Sequence, residues 1–195
     1  MFRLYEKLPS EVAVNDVEYR LNLDFDNVLL AFSALSDKEM TADDRLETYL
    51  RLLVIGKLPS VDYWIDLYDA IQEVLTVEQT SAVKYDVNGD PMPTKANDSK
   101  PDFDFDLDAR YIYAAFLQAY GIDLIDQQGK MQWIKFVALL NALPEDTMFR
   151  QIRQIRSTDL SKIKDKEQRK QTKEQQKALA LPSNVIEEEA DDYGG

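Results

Sequence analysis

The run richest in reactive groups is Asp102-Phe103-Asp104-Phe105-Asp106-Leu107-Asp108, with carboxylates at every second position. Carboxylates so spaced could ligate calcium in a loop, because the ion takes several hard oxygen ligands. The calcium-loop template needs glycine at its sixth position and a bidentate glutamate at its twelfth. Counted from Asp102, those positions are Leu107 and Tyr113. Asn88 and Asp90 fit no better, since Pro91 interrupts them. The plainer expectation is a short extended segment with Phe103 and Phe105 facing inward and the aspartates in water. Asp106 or Asp108 would then cap the helix that follows.

Other chemistries find less support. Cysteine and histidine are both absent. That removes thiolate nucleophiles, disulfides, cysteine or histidine zinc sites and the side chain best suited to moving protons near neutral pH. No two acids stand out as a glycosidase pair in an apolar setting. Gly56-Lys57 and Gly129-Lys130 lack the rest of a phosphate loop. The expectation is a non-enzymatic protein with no metal and no cofactor.

Charge is distributed in blocks. Residues 1–149 carry 13 basic and 27 acidic side chains, and residues 150–177 carry 10 basic and 4 acidic. Residues 178–195 have 5 acidic and no basic ones, which completes the net −13. A cationic block beside an acidic body either folds back onto it or reaches for an acidic partner. Its aromatics end at Phe149, and glutamines with Glu167 and Glu174 dilute it, so nucleic acid is the weaker reading. The candidate partner-binding surface takes Phe149, Ile152 and Ile155 as apolar anchors. Arg150, Arg153, Arg156, Lys162, Lys166, Arg169 and Lys170 supply its charge. Closure of the core is the competing use of the three apolar residues.

The elements that must position these residues are mainly helical. Val12 and Val14, then Val17, Tyr19 and Leu21, alternate across Asn15-Asp16, which predicts a β-hairpin. Phe25, Val28, Leu29, Phe32 and Leu35 predict a helix behind Asp24 as cap. Leu46, Tyr49, Leu50 and Leu53 predict a second behind Thr41, and Val61, Trp64, Ile65, Tyr68, Ile71 and Leu75 a third. Residues 86–101, with Asn88-Gly89 and three prolines, read as a loop. Tyr111, Ile112, Ala115, Phe116 and Ala119 predict a helix ended by Gly121. Trp133, Phe136, Val137, Leu140 and Leu143 predict another, and a further one begins near Glu145. The expected architecture is mainly α, a hairpin followed by six or seven helices. It comprises one domain over 1–160, a basic exposed helix over 161–181 and an acidic disordered tail over 182–195.

No run of 18 apolar residues predicts a membrane span, and Met1–Ser10 lacks the features of a signal peptide.

Three blocks resemble a family of tailed-phage proteins, the bacteriophage gene product fifteen family. They are Asp108-Ala-Arg-Tyr-Ile-Tyr-Ala-Ala-Phe-Leu-Gln-Ala-Tyr-Gly-Ile-Asp-Leu124, Trp133-Ile-Lys-Phe-Val-Ala-Leu-Leu-Asn-Ala-Leu-Pro-Glu-Asp-Thr147 and Asp159-Leu-Ser-Lys-Ile-Lys-Asp-Lys-Glu-Gln-Arg-Lys170. Leu8-Pro9-Ser10 with the hairpin and Asp24-Phe25 is a looser match. The resemblance implies a protein encoded among the tail genes of long-tailed phages and prophages of Gram-positive bacteria, acting in the host cytoplasm. It implies a tail assembly chaperone whose partner is the tape measure protein, with the major tail protein a second candidate. A structural tail or connector component of the virion is the alternative. The resemblance implies no catalytic residues.

Overall fold

A computed structural model describes residues 4–76, 84–85, 91–92 and 102–182. The expected mainly helical class is observed, with seven α-helices and an N-terminal hairpin among the described residues. The chain divides into two compact units, each of two segments: Met1–Pro93 with Asp123–Ala142, and Thr94–Ile122 with Leu143–Gly195.

In the first unit, β1 (Glu11–Val14) pairs antiparallel with β2 (Val17–Arg20), Val14 opposite Val17. Asn15 and Asp16 both take positive φ, 50° and 61°, the geometry that a two-residue hairpin requires. Val12 and Val14 point inward. Helix α1 (Phe25–Ser36) buries Phe25, Val28, Ala31 and Leu35. Asp24 occupies its N-cap position, yet its side chain makes no capping bond, contrary to expectation. Thr41 does cap α2 (Ala42–Leu53), accepting from the Asp44 N–H. The four residues of the predicted α2 stripe are all buried. Helix α3 (Trp64–Thr76) follows a 3₁₀ turn at Val61–Tyr63. It buries Leu67, Tyr68, Ile71 and Leu75, whereas Val61 and Ile65 of the predicted stripe are exposed.

Two further strands, β3 (Lys84–Tyr85) and β4 (Pro91–Met92), pair antiparallel. The expected loop 86–101 otherwise lies outside the described residues, as does the acidic tail expected over 182–195 beyond Pro182. The chain contributes α4 (Ala109–Tyr120) to the second unit before returning to the first as α5 (Trp133–Asn141). Backbone bonds Phe25 N–H to Met131 O (2.9 Å) and Trp133 N–H to Leu23 O (2.7 Å) secure that return. The Phe25 and Phe136 rings stack at 4.9 Å, and Trp133 meets Phe32 edge-on at 5.6 Å. The Trp133 indole N–H donates to Leu75 O, so its polar end is satisfied inside the core.

The second unit contains α4, α6 (Met148–Ser157) and α7 (Lys166–Ala178). Gly121 ends α4 at φ 64°, as its position after the apolar stripe predicts, and its N–H returns to Leu117 O. Helix α6 starts at Met148 and not at Glu145, because Glu145 and Asp146 form a turn in which Thr147 bonds Pro144 O. Phe103, Ile112, Phe116, Phe149, Ile152 and Leu181 are buried in this unit. No described helix is long and apolar enough to cross a membrane.

Candidate partner-binding segment

The segment from Phe149 to Lys177 begins on α6, whose sequence places Phe149, Ile152, Arg153 and Arg156 on one helical face. Two core positions of this stripe are thus arginines. Each meets a carboxylate of the aspartate run. Arg153 donates through Nε to Asp102 Oδ2 at 2.9 Å, and its Nη2 lies 2.8 Å from the same oxygen. Arg156 grips Asp108 in bidentate fashion, Nη1 to Oδ2 at 2.5 Å and Nη2 to Oδ1 at 3.0 Å. Both partners of that pair are nearly sealed from solvent, with side chains 8% and 3% exposed. The Arg153 guanidinium also lies 4.7 Å from the centre of the Phe103 ring. It lies 5.6 Å from that of Phe149. A planar guanidinium so placed packs as part of an aromatic core.

The aspartate run is consequently a structural segment. It is turned where an extended path was expected: Asp108 N–H donates to Asp104 O, and Asp104 Oδ1 accepts from the Asp106 and Leu107 N–H groups. A short side chain that satisfies its own neighbours' donors favours such a turn over a strand. Phe103 is buried and Phe105 half-buried. Asp108 takes the N-cap position of α4 but does not cap it, since its carboxylate serves Arg156 and the Asp104 N–H. Burial, with the nearby Asp104 charge second, raises the Asp106 pKa above the ordinary carboxylate value. Among the described residues no three acidic side chains are grouped to hold a metal ion.

Beyond α6 a 3₁₀ turn, Leu160–Lys162, leads into α7. Ser161, chiefly through its hydroxyl and then its N–H, lowers the Asp159 pKa. Asp165 caps α7 by accepting from Gln168 N–H at 2.7 Å, and the helix itself buries no residue. It is anchored by polar bonds: Gln176 donates to Ile155 O and Thr158 O, and Arg156 Nε donates to Leu179 O. Leu181, just past its end, is 2% exposed and plugs into the core.

The sequence profile described as Bacteriophage Gp15 protein matches residues 4–181. The chain belongs to this phage protein family. No curated protein and no solved structure matches it.

In this Gp15-family chain the ten candidate partner-binding residues separate into two groups. Phe149, Ile152 and Arg153 are buried, and Arg156 is spent on Asp108 and Leu179. Those four are engaged in packing and bonds within the second unit, the competing use expected for the apolar residues Phe149 and Ile152; Ile155 is only half-buried. Arg150 is half-buried, while Lys162, Lys166, Arg169 and Lys170 are exposed. Arg169 donates to Ile163 O and so also steadies the turn before α7. The missed residues are Asp102 and Asp108 as ion-pair partners. The available signal is the pair of arginines recurring at the helical period of the apolar residues, where a solvated face would not place them.

Proposed function

We propose that this phage protein acts in tail morphogenesis as an assembly chaperone, binding the tape measure protein in the host cytoplasm before the tail tube polymerises. The observation that carries the reading is α7, a cationic helix that buries none of its own residues on an otherwise acidic chain. A helix polar all round contributes little to a core and is suited to presenting charge. A long helical tape measure needs cover for its faces until tube subunits displace the helper, and a surface of exposed helix suits reversible docking. The docking surface in this reading is Arg150, Lys162, Lys166, Arg169 and Lys170, with Ile155 as its apolar contribution. The role requires no catalysis and no cofactor.

Co-expression with the tape measure protein of the same phage, followed by size-exclusion chromatography with light scattering, tests this. A soluble complex is expected where tape measure alone is insoluble. Charge reversal at Arg150 and Lys162 should weaken that complex while leaving the fold intact. Free protein beside insoluble tape measure would overturn the reading. Stoichiometric presence in purified particles would then favour a structural component of the tail.

A further inference from the structure

Two exposed stripes of opposite charge have no ionic partner among the described residues. On α7, Lys166, Lys170, Lys173 and Lys177 stand at i, i+4, i+7 and i+11, and all four are exposed. At 100° per residue they fall within about 60° of arc, a single line roughly 16 Å long. Asp62, just before α3, and Asp66, Asp69 and Glu73 on α3 have the same spacing, and they too are all exposed. None of the eight makes an ion pair among the described residues. Like charges three and four residues apart repel along a helix, so each stripe carries a local cost that an opposite stripe would remove.

We infer that α7 of one copy docks along α3 of a second copy, lysine stripe against carboxylate stripe. The intervals of four, three and four residues read identically in both directions. An antiparallel pairing therefore sets Lys166, Lys170, Lys173 and Lys177 against Glu73, Asp69, Asp66 and Asp62. It also opposes the two helix dipoles favourably. Beside the acidic stripe, Val61 is 64% exposed and Ile65 46%. Lysine methylene stems can cover such apolar surface. Asp69, Gln72, Glu73 and Thr76 line a shallow depression toward the C-terminal end of α3. Duplex DNA is a poorer occupant, because the acidic remainder of the chain opposes a polyanion. Since α3 and α7 are different surfaces, the contact closes a two-fold pair where both copies make it reciprocally, and otherwise builds a ring or a chain. It uses Lys166 and Lys170, so self-association and the proposed tape measure contact compete. The inference itself does not rest on that function.

Light scattering of the full-length protein alone, against concentration and salt, is the test. One chain has a mass of 22.5 kDa. At about 0.02 M salt the measured mass should rise above that value, and it should return to one chain at about 0.5 M, where screening is strong. Reversing Lys170 and Lys173 to glutamate, or Asp66 and Asp69 to lysine, should each weaken association at least tenfold. Mixing the two charge-reversed proteins should restore it, which a general loss of folding or solubility could not do. A single-chain mass at low salt and high concentration overturns the inference. So does association that neither reversal changes, or a monomer whose lysine stripe instead retards duplex DNA.

Discussion

Replacing Arg156 by alanine strands the Asp108 carboxylate where only 3% of its side chain reaches solvent. The native pair is bidentate, and Arg156 also donates to Asp102 O at 3.2 Å and Leu179 O at 2.7 Å. With the guanidinium gone, Asp108 keeps only the Asp104 N–H, at 3.1 Å. Removing one partner of a buried ion pair costs about 3–5 kcal/mol, chiefly through the uncompensated charge left behind. The exposed Arg51–Glu47 pair, with side chains 65% and 37% exposed, sets the contrast. Arg51→Ala should cost about 0–1 kcal/mol. Urea unfolding followed by far-ultraviolet circular dichroism is the assay. Tryptophan fluorescence alone would mislead, because Trp64 and Trp133 both lie in the first unit and Arg156 lies in the second. In thermal melts the same loss should lower Tm by roughly 6–20 °C for a chain of this size. Asp108→Leu combined with Arg156→Met should recover most of the stability, since replacing a buried pair by apolar groups is often neutral. An Arg156→Ala loss no larger than that of Arg51→Ala would show that the buried pair is not stabilising, as would a double variant showing no coupling.

Leu181→Ala should cost about 2–4 kcal/mol through the cavity it leaves. Limited proteolysis of that variant should show α7 cut more readily between Lys166 and Lys177. At Gly121 a Cβ would meet open space, but φ is 64°. Gly121→Ala should therefore cost about 1–2 kcal/mol by urea midpoint, the strain of an L side chain in left-handed backbone. Tyr49 is fully buried beside Tyr68, and burial, with Tyr68 second, holds its hydroxyl pKa well above 10.0. Stability should therefore be intact below the ordinary tyrosine range. It should fall as pH rises past that range toward the raised folded value, because the unfolded chain releases its proton first. Urea midpoints through the alkaline range should show that fall. Tyr49→Phe should flatten it while lowering stability at neutral pH through loss of the Gln72 bond.

Local rules are readable wherever the chain obeys one pattern at a time. Asn15-Asp16 takes the positive φ its residue types favour, Thr41 caps α2, and Leu46, Tyr49, Leu50 and Leu53 are buried together. The reading fails where tertiary partners decide. Arg153 and Arg156 read as surface charge because arginine is seldom buried. Aspartates far away in sequence, Asp102 and Asp108, neutralise them. Asp108 reads as the cap of α4, but its oxygens are taken by the Arg156 guanidinium and the Asp104 N–H. The exchange of segments between the two units has no local signal. It depends on Phe136 meeting Phe25 and on Trp133 reaching Leu75, distant in the chain. Val61 and Ile65 fit a helical stripe by spacing but face outward. Periodicity gives a face its direction and not its width.

The attachment of α7 links these observations. The helix has 13 residues and no apolar face. Such a helix is marginal by itself in water. Its retention depends on the Asp165 cap, the Gln176 and Arg156 bonds to backbone carbonyls, and Leu181. Each of those bonds is worth about 0.5–1.5 kcal/mol and the leucine about 2 kcal/mol. The Asp108–Arg156 pair is held by its own bidentate bonds, through other nitrogens than the one that donates to Leu179 O. Release of α7 is therefore a local opening that spares the buried ion pairs of the second unit. A partner that engages the lysine stripe works against those few contacts, of which Leu181 is the one that reaches the core.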